Sequence, residues 1–288
     1  MTRLTVDLIE DIGRSMEKRD ADLIQKLGMN LRDLALTAIC YDRGELDLNN
    51  IRVASVPVTS GEGVITTFSN SVCAVTRHLG MDGFVTVNSD VAGFAEAISD
   101  GADLVFMADD DQFIAYNVRE GKYADNTRST AIGYCAALEV ALGGVAGKDV
   151  LVIGAGRVGS YAIKRLSSKG ANVSIVDVDA TAAESARKRF GARVESCPED
   201  AIRNATAILN ASPAIIPGEW IAEGAVIAAP GVPYGFDEFG ERNARVIIHD
   251  PLQIGVAIMA VWSVSYSSHS SPMSELPMAS VEVLDRMR

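Results

Sequence analysis

The chain has 288 residues, of which 48% are hydrophobic and 22% charged, the balance of a globular protein long enough to bury cores in two domains. Its formal net charge of −12 argues against a nucleic acid or an anionic membrane as the main partner, because either requires a basic surface. Four widely spaced cysteines and three histidines suggest no metal cluster, and no apolar run is long enough to cross a bilayer, so we expect a cytoplasmic protein without a metal site.

The spacing of apolar residues in the first half of the chain changes near Ile51. Residues 3–38 carry apolar residues at intervals of three and four, which predicts two helices that separate near Asp20. After Ile51, short apolar runs alternate with helical patterns, which predicts a small α/β domain. The predicted strands cover residues 51–58, 83–87 and 104–107, and the predicted helices cover 70–79, 91–99 and 130–142. A glycine-rich hinge at 143–147 closes this first domain, assigned to residues 1–145.

The most informative stretch is residues 150–177, where a buried strand, a glycine turn, a helix and a second strand follow in order. In such a turn Gly154 bends the chain, Gly156 lets the backbone approach a pyrophosphate, and Gly159 lets the helix pack closely on the strand. The phosphates then lie at a helix N-terminus, and we include Arg157 and Val158 among the cofactor-binding residues. A glycine-rich turn in an ordinary parallel sheet is the alternative.

The second strand ends at Asp177, whose carboxylate can accept hydrogen bonds from a ribose diol but would repel a 2′-phosphate. Asp179 adds to that repulsion. The sequence therefore favours NAD over NADP, with FAD as a further alternative.

Further strands are predicted at 207–210, 225–228 and 245–248, which gives a nucleotide-binding domain over residues 146–250. The apolar segment 251–264 is predicted to be a terminal helix that packs back between the lobes, and residues 265–288 a loosely held extension. The fold class is therefore α/β, with a small N-terminal α/β domain and a C-terminal, doubly wound Rossmann domain.

Reactions in such two-lobed proteins take place in the cleft between the lobes, so candidate residues come from loops of the first domain. Thr59 and Ser60 lie in a glycine-bracketed loop, 58–63, that could hold a carboxylate or could simply cap a turn. Asp109 begins a run of three acids after an apolar strand, either an active-site group or a solvated loop. Asn126 could bind an amide or carboxylate, or lie in a polar turn. His249 is expected to be structural.

Several of these segments together resemble the dehydrogenases that complete pyrrolysine biosynthesis. The resemblance spans residues 4 to 264, and the Thr-Ser-Gly and Met-Ala-Asp-Asp loops make it specific. The chain departs from the family pattern in the extension 265–288 and in a longer connection around 43–51. It also differs at Asp125 and Arg128 beside Asn126. The matching segments are 56–61, Phe68-Ser69, 83–86, Gly101-Ala102, 107–110, Asn117, the glycine turn, 230–233 and Pro251-Leu252.

The resemblance implies NAD-dependent oxidation of the terminal amine of the 3-methylornithyl part of a lysine-linked isopeptide, release of ammonia and closure of a pyrroline ring. It implies that Asp109 is important for activity and that an N-terminal helix carrying Leu4 helps to close the site. Phe68 is expected to wall the nicotinamide or the methylated carbon, although a buried phenylalanine is the ordinary interpretation. Pro230 is assigned to the cofactor, and a homodimer is a weaker implication.

The expected chemistry agrees with these residues. The substrate amine arrives as an ammonium and must lose a proton before oxidation, which Asp109 could relay. Ring closure is intramolecular and therefore strongly favoured by proximity, with or without prior addition of water. The alternatives are an NAD(P)-dependent dehydrogenase of another small amine or carbonyl compound, such as the shikimate or folate types, and a regulatory protein that binds NAD without turnover.

Overall fold

The computed structural model describes residues 4–41, 46–61 and 67–267 of the chain, and these residues form two sheets flanked by helices. This architecture confirms the predicted α/β fold class. Residues 268–288 of the predicted extension lie outside the described part, as do Glu62 and Gly63 of the predicted hydroxyl loop. The division between domains at residues 145 and 146 stays a prediction.

Three helices begin the described chain: α1 (Val6–Ile9), α2 (Ile12–Leu27) and α3 (Leu31–Ala38). The predicted break near Asp20 is wrong, because α2 continues through that residue and ends at Gly28, which adopts a left-handed φ of 71°. Asp20 instead caps the next helix, since its Oδ1 accepts a hydrogen bond from the N–H of Leu31 at 2.6 Å. The buried residues of α2 share one face and are Ile12, Met16, Leu23 and Leu27.

The first sheet contains five strands in the order β2-β1-β3-β4-β5. The first three are parallel and confirm the three predicted strands, while β4 and β5 add an antiparallel hairpin that the sequence analysis missed. The elements are β1 (Arg52–Val56), α4 (Phe68–His78), β2 (Asp82–Val85), α5 (Asp90–Ser99), β3 (Leu104–Ala108), β4 (Phe113–Asn117) and β5 (Lys122–Asp125).

A long helix, α6 (Asn126–Leu142), follows this sheet and leads to the second one. It begins four residues before the predicted start, because Asp125 caps it by accepting a hydrogen bond from the N–H of Arg128 at 2.9 Å. Gly143, in a left-handed conformation, ends it. The early start brings Asn126 into the first helical turn.

The second sheet has six parallel strands in the order β11-β10-β9-β6-β7-β8, the strand order of a Rossmann fold. The direction of winding reverses between β6 and β9, and ligands of such sheets bind at this switch point, at the carboxyl ends of the strands. The elements are β6 (Asp149–Ile153), α7 (Arg157–Ser168), β7 (Asn172–Val176), α8 (Ala180–Phe190), β8 (Arg193–Val194), α9 (Pro198–Arg203), β9 (Ala207–Asn210), β10 (Val226–Ala228), α10 (Glu238–Asn243) and β11 (Val246–Ile248).

The last described helix, α11 (Gln253–Ser265), is buried along its whole length and confirms the predicted apolar helix. It packs against α6, α3 and α4 and against β4 and β5 of the first sheet. Gly133 of α6 allows the close crossing, since a Cβ there would lie 2.5 Å from the Ile254 side chain. Within the described ranges, no helix is both long and apolar enough to span a membrane.

Candidate active site

A cleft of about 590 Å³ lies between the two sheets, where the carboxyl ends of strands from both lobes meet. The first lobe contributes the loops after β1 and β3 and the start of α6. The second lobe contributes the start of α7 and the loops after β9, β10 and β11. Of the predicted site residues, those that line this cleft are Leu4, Ser60, Phe68, Asp109, Asn126, Arg157, Val158 and Pro230.

Asp109 is exposed at the end of β3 and also organises its own loop. Its Oδ1 accepts hydrogen bonds from the backbone N–H groups of Asp111 and Gln112, at 2.9 and 2.7 Å. Its own N–H donates to the carbonyl of Gln112 at 2.9 Å. These contacts fix the direction of the loop and hold the carboxylate at the edge of the cleft.

Thr59 is not among the residues that line the cleft; its side chain is held by Asp90. The Thr59 hydroxyl donates to Asp90 Oδ2 at 2.6 Å, and its N–H donates to Oδ1 at 2.7 Å. These bonds lower the pKa of the Asp90 carboxyl, and Asp90 itself adopts a left-handed φ of 53°. We call this pair the Thr59–Asp90 clamp. It positions the loop that presents Ser60 to the cleft.

Three other predicted substrate residues lie on the cleft wall. Phe68 is half-buried, and its ring meets that of Phe113 edge-on with centroids 5.1 Å apart, so it serves both the core and the wall. Asn126 accepts a hydrogen bond from the Thr130 hydroxyl at 3.3 Å. The absence of a side chain at Gly255 makes room for both, since a Cβ there would come within 3 Å of each. Leu4 is partly buried and packs on the core.

The glycine turn has the geometry that its sequence predicts. Gly154 has a φ of 92°, which favours glycine, and a Cβ on Gly159 would overlap the carbonyl oxygen of Gly154. A Cβ on Gly156, by contrast, would meet no atom within 4 Å. The space over Gly156, at the N-terminus of the twelve-residue helix α7, therefore fits a dinucleotide pyrophosphate.

Asp177 lies at the end of β7, beside the glycine turn. Its Oδ2 accepts a hydrogen bond from the N–H of Ala155, and its Oδ1 accepts one from the N–H of Asp179 at 2.7 Å. The carboxylate is thus tied to the turn. Its negative charge stands next to the proposed cofactor site, where it suits a ribose diol better than a 2′-phosphate.

Tyr134 and Asp250 also line the cleft, although no motif in the sequence marks them as site residues. The buried Tyr134 hydroxyl donates to the Asp250 carbonyl at 2.7 Å and accepts from the Asp250 N–H at 2.8 Å. Burial raises the pKa values of both side chains. The position of Asp250 directly after a predicted strand was the available signal.

His249 has a structural environment, as expected. Its Nδ1 lies 2.8 Å from the carbonyl oxygen of Ala229, and its ring packs on that of Tyr234 with centroids 4.9 Å apart. In the part of the chain that the structure covers, no three of its histidine, cysteine, aspartate and glutamate side chains cluster closely enough to hold a metal ion.

The two lobes match different families. Residues 8–124 match the family described as pyrrolysine biosynthesis protein PylD, N-terminal domain, and residues 133–229 match the alanine dehydrogenase/PNT C-terminal domain. Among solved structures, the quinate dehydrogenase of Corynebacterium glutamicum in complex with NAD has a TM-score of 0.51 at 14% identity, covering 75% of this chain and 94% of that one. The FolD methylenetetrahydrofolate dehydrogenase/cyclohydrolase of Campylobacter jejuni has the same TM-score and identity, covering 89% and 96%. These likenesses support the two-lobed dehydrogenase fold.

Two curated relatives that align with most of the chain are more similar in sequence than these solved structures. The chain is 34% identical over 262 residues to the pyrrolysine synthase of Methanosarcina acetivorans, an alignment that covers 90% of this chain and 98% of that protein. The pyrrolysine synthase of Methanosarcina barkeri is also 34% identical over 262 residues, with 90% and 97% covered. At this identity and coverage, the chain belongs to the pyrrolysine synthase family.

Proposed function

We propose that the chain oxidises the terminal amine of lysine-Nε-3-methylornithine, with NAD as electron acceptor, and that the product closes to the pyrroline ring of pyrrolysine with release of ammonia. The observation that carries the proposal is the composition of one cleft. The cleft combines Asp109 and Asp110, in what we call the acid loop (residues 109–112) of the first lobe, with the start of α7 in the second lobe. The chain is 34% identical to pyrrolysine synthases.

The cofactor would be held by the glycine turn, by Arg157 and Val158 at the start of α7, by Asp177 and by Pro230. Bound there, NAD supplies a two-electron acceptor. Gly156 leaves the backbone open to the pyrophosphate, and the Asp177 carboxylate is suited to the ribose diol. We therefore expect a lower KM for NAD than for NADP.

Asp109 would attract the substrate's terminal ammonium and accept its proton. A primary alkylammonium has a pKa of about 10.4 in water, so at neutral pH almost none of the amine is in the neutral form that can be oxidised unless a base removes the proton. A carboxylate at the cleft edge stabilises the ammonium electrostatically and offers an acceptor for the proton. Its loop holds the carboxylate in place through the two hydrogen bonds to Oδ1.

Ser60 and Asn126 would bind the zwitterionic lysine end, Phe68 would pack on the methylated ring-forming carbons, and Leu4 would help to cover the site. The imine formed by oxidation is then attacked by the neighbouring α-amine of the same substrate, directly or after addition of water. Loss of ammonia completes the ring. The walls of the cleft need only hold the substrate folded.

The experiment is to mix the purified protein with NAD and the lysine-linked 3-methylornithine, follow NADH by absorbance and identify the product by mass spectrometry. The proposal predicts NADH formation together with a product that lacks ammonia and two hydrogens relative to the substrate. NAD binding without turnover would exclude this substrate, and it would point to another amine or carbonyl compound or to a regulatory role.

A further inference from the structure

Asp250 borders two spaces at once. One is the cleft described above, and the other is a small, partly open cavity of about 30 Å³, lined by residues of α2, by Leu31 and by residues 248–250 and 253. At about 10–15 Å³ per water-sized sphere, the cavity has room for two or three water molecules. Its lining mixes apolar side chains with the polar side chains of Arg19, Asp20, Asp250 and Gln253.

Gln253 gives this cavity an independent reason to hold water. Its side chain is 2% exposed, and its Oε1 accepts a hydrogen bond from the N–H of Leu252 at 3.2 Å. Its Nε2 is buried and has no protein partner in the described residues. A buried amide N–H that finds no acceptor is unfavourable, so a bridging water is favoured there.

The cavity leads to the surface through a hydrogen-bonded pair of side chains. Asp20 borders it, and Asp20 Oδ2 lies 2.9 Å from His78 Nε2. Both side chains are about one-fifth exposed, at 20% and 22%, and so meet solvent. Asp250, the cavity, Asp20 and His78 therefore form a continuous series of proton-accepting groups from the cleft to the outside.

The reaction in the cleft needs such a route. The substrate brings two ammonium groups, the terminal one that is oxidised and the α one that attacks. When both start protonated and the products are a neutral pyrroline, NADH and ammonium, two protons are left over. Resting on the proposed function, we propose that Asp250 accepts one of these protons and passes it through water in the small cavity to Asp20 and His78 at the surface.

Burial and the groups that face Asp250 change the pKa of its carboxyl in opposite directions. Arg19 and His249 both lower its pKa, and two backbone N–H groups, of Leu252 and Ile254, stabilise its charged form. Burial outweighs them and raises the pKa, which makes the carboxylate a better base than an exposed one. The Tyr134 hydroxyl bonds to the backbone of Asp250, whereas the Asp250 carboxylate oxygens accept from the N–H groups of Leu252 and Ile254.

The remaining charges of the cavity lining do not oppose a proton. Asp22 is neutralised by Lys26, whose Nζ lies 2.8 Å from Asp22 Oδ2. The charged side chains that then remain in the lining are the positive Arg19 and the negative Asp20 and Asp250. With a neutral His249, the lining therefore carries one net negative charge when both carboxylates are ionised.

The test compares Asp250→Asn with Asp20→Asn and with the control Asp22→Asn, which removes the same charge from the cavity rim outside the proposed route. Asparagine can still accept the backbone hydrogen bonds at the start of α11, so a merely structural role predicts unchanged kinetics. The relay predicts a fall in kcat of about tenfold or more for Asp250→Asn, with KM for NAD unchanged. It also predicts that the acidic limb of the kcat profile is lost and the solvent isotope effect is altered.

Asp20→Asn should reproduce part of this loss without touching the cleft, and it serves as the decisive variant if Asp250→Asn fails to fold. A readout independent of turnover is the titration of the Asp250 carboxyl by ¹³C NMR. We expect a midpoint above the ordinary 3.8 and a shift of that midpoint in Asp20→Asn but not in Asp22→Asn. If the wild type turns over and both Asp250→Asn and Asp20→Asn have the wild-type kcat, the relay alone is overturned. If the wild type shows no turnover, the proposed function is overturned and the relay with it.

Discussion

Arg157 Nη1 donates a hydrogen bond of 3.0 Å to the backbone carbonyl of Asp111. The donor stands at the start of α7, on the proposed pyrophosphate site, and the acceptor belongs to the loop that Asp109 organises. One side chain thus connects the start of α7 to the loop after β3. The bond joins the two lobes, and Arg157 also lines the cleft.

We expect Arg157→Ala to weaken NAD binding and also to loosen the acid loop, because both lose the same guanidinium. The loss of a hydrogen bond made by a charged group predicts an effect of about 1.5–3 kcal/mol on NAD affinity. Hydrogen exchange at the Asp111 and Gln112 amides should accelerate in the same variant. Arg157→Lys is the matched control: it keeps the charge at the cofactor and loses the planar fork. Unchanged exchange in both variants would show that the contact does not hold the loop.

The glycine turn permits a paired test of shape. Gly159→Ala should destabilise the protein by about 1–3 kcal/mol, since its Cβ overlaps the Gly154 carbonyl oxygen. Gly156→Ala should leave the Tm unchanged, because the added methyl group meets open space, yet it should weaken NAD binding by occupying the pyrophosphate approach. Thermal unfolding and NAD titration separate the two effects. Normal NAD affinity in Gly156→Ala would place the pyrophosphate elsewhere.

Asp109→Asn should lower kcat by about 10²- to 10⁴-fold, the usual contribution of a general base. Asparagine can still accept the loop hydrogen bonds that the structure gives to Oδ1. The Tm and NAD affinity should therefore stay near the wild-type values. The measurement is single-turnover NADH formation across pH. Asp111→Asn, in the same loop, is the control, and an equal loss in that variant would mean that loop charge matters more than a specific base.

The Thr59–Asp90 clamp should act on substrate binding through the Ser60 loop. Asp90→Gly removes the carboxylate while tolerating the left-handed backbone, and it should raise the substrate KM about two- to fivefold, as expected for an exposed polar contact. Asp90→Asn, which keeps an acceptor and also tolerates this conformation, should lie closer to the wild type.

This clamp also has a predictable pH dependence. Its hydrogen bonds lower the pKa of Asp90 from 3.8, so its stabilisation is complete above about pH 3.8 and is lost as the pH falls through the lower folded value. The Tm difference between the wild type and Asp90→Gly should therefore be constant near neutral pH and shrink in acid. A difference that stays constant in strong acid would refute the assignment.

The predictable parts of the fold depend on local chemistry. A glycine turn between two apolar strands fixes the nucleotide-binding fold, because each glycine answers a short-range steric demand. The acid loop was also visible, as charge directly after a strand. The helix that follows the glycine turn contributes Arg157 to the cleft wall, and the acid loop contributes Asp109.

The parts that sequence missed depend on distant contacts. Tyr134 and Asp250 meet across 116 residues of sequence, and no local pattern reports that bond. The hairpin of β4 and β5 carries polar residues such as Asn117 and Lys122, so its strands resemble loops. Asp20 looked like a helix break, but its carboxylate is used by Leu31 and His78, both on other helices.

The burial of α11 has a consequence for how the chain reaches its native state. This helix, near the end of the described residues, fills the space among α3, α4, α6 and the first sheet. A nascent chain that stops at residue 250 would leave that apolar space open to water. The first lobe therefore completes its core only after the second lobe has been synthesised, so residues 4–142 lack part of their own core when separated from α11.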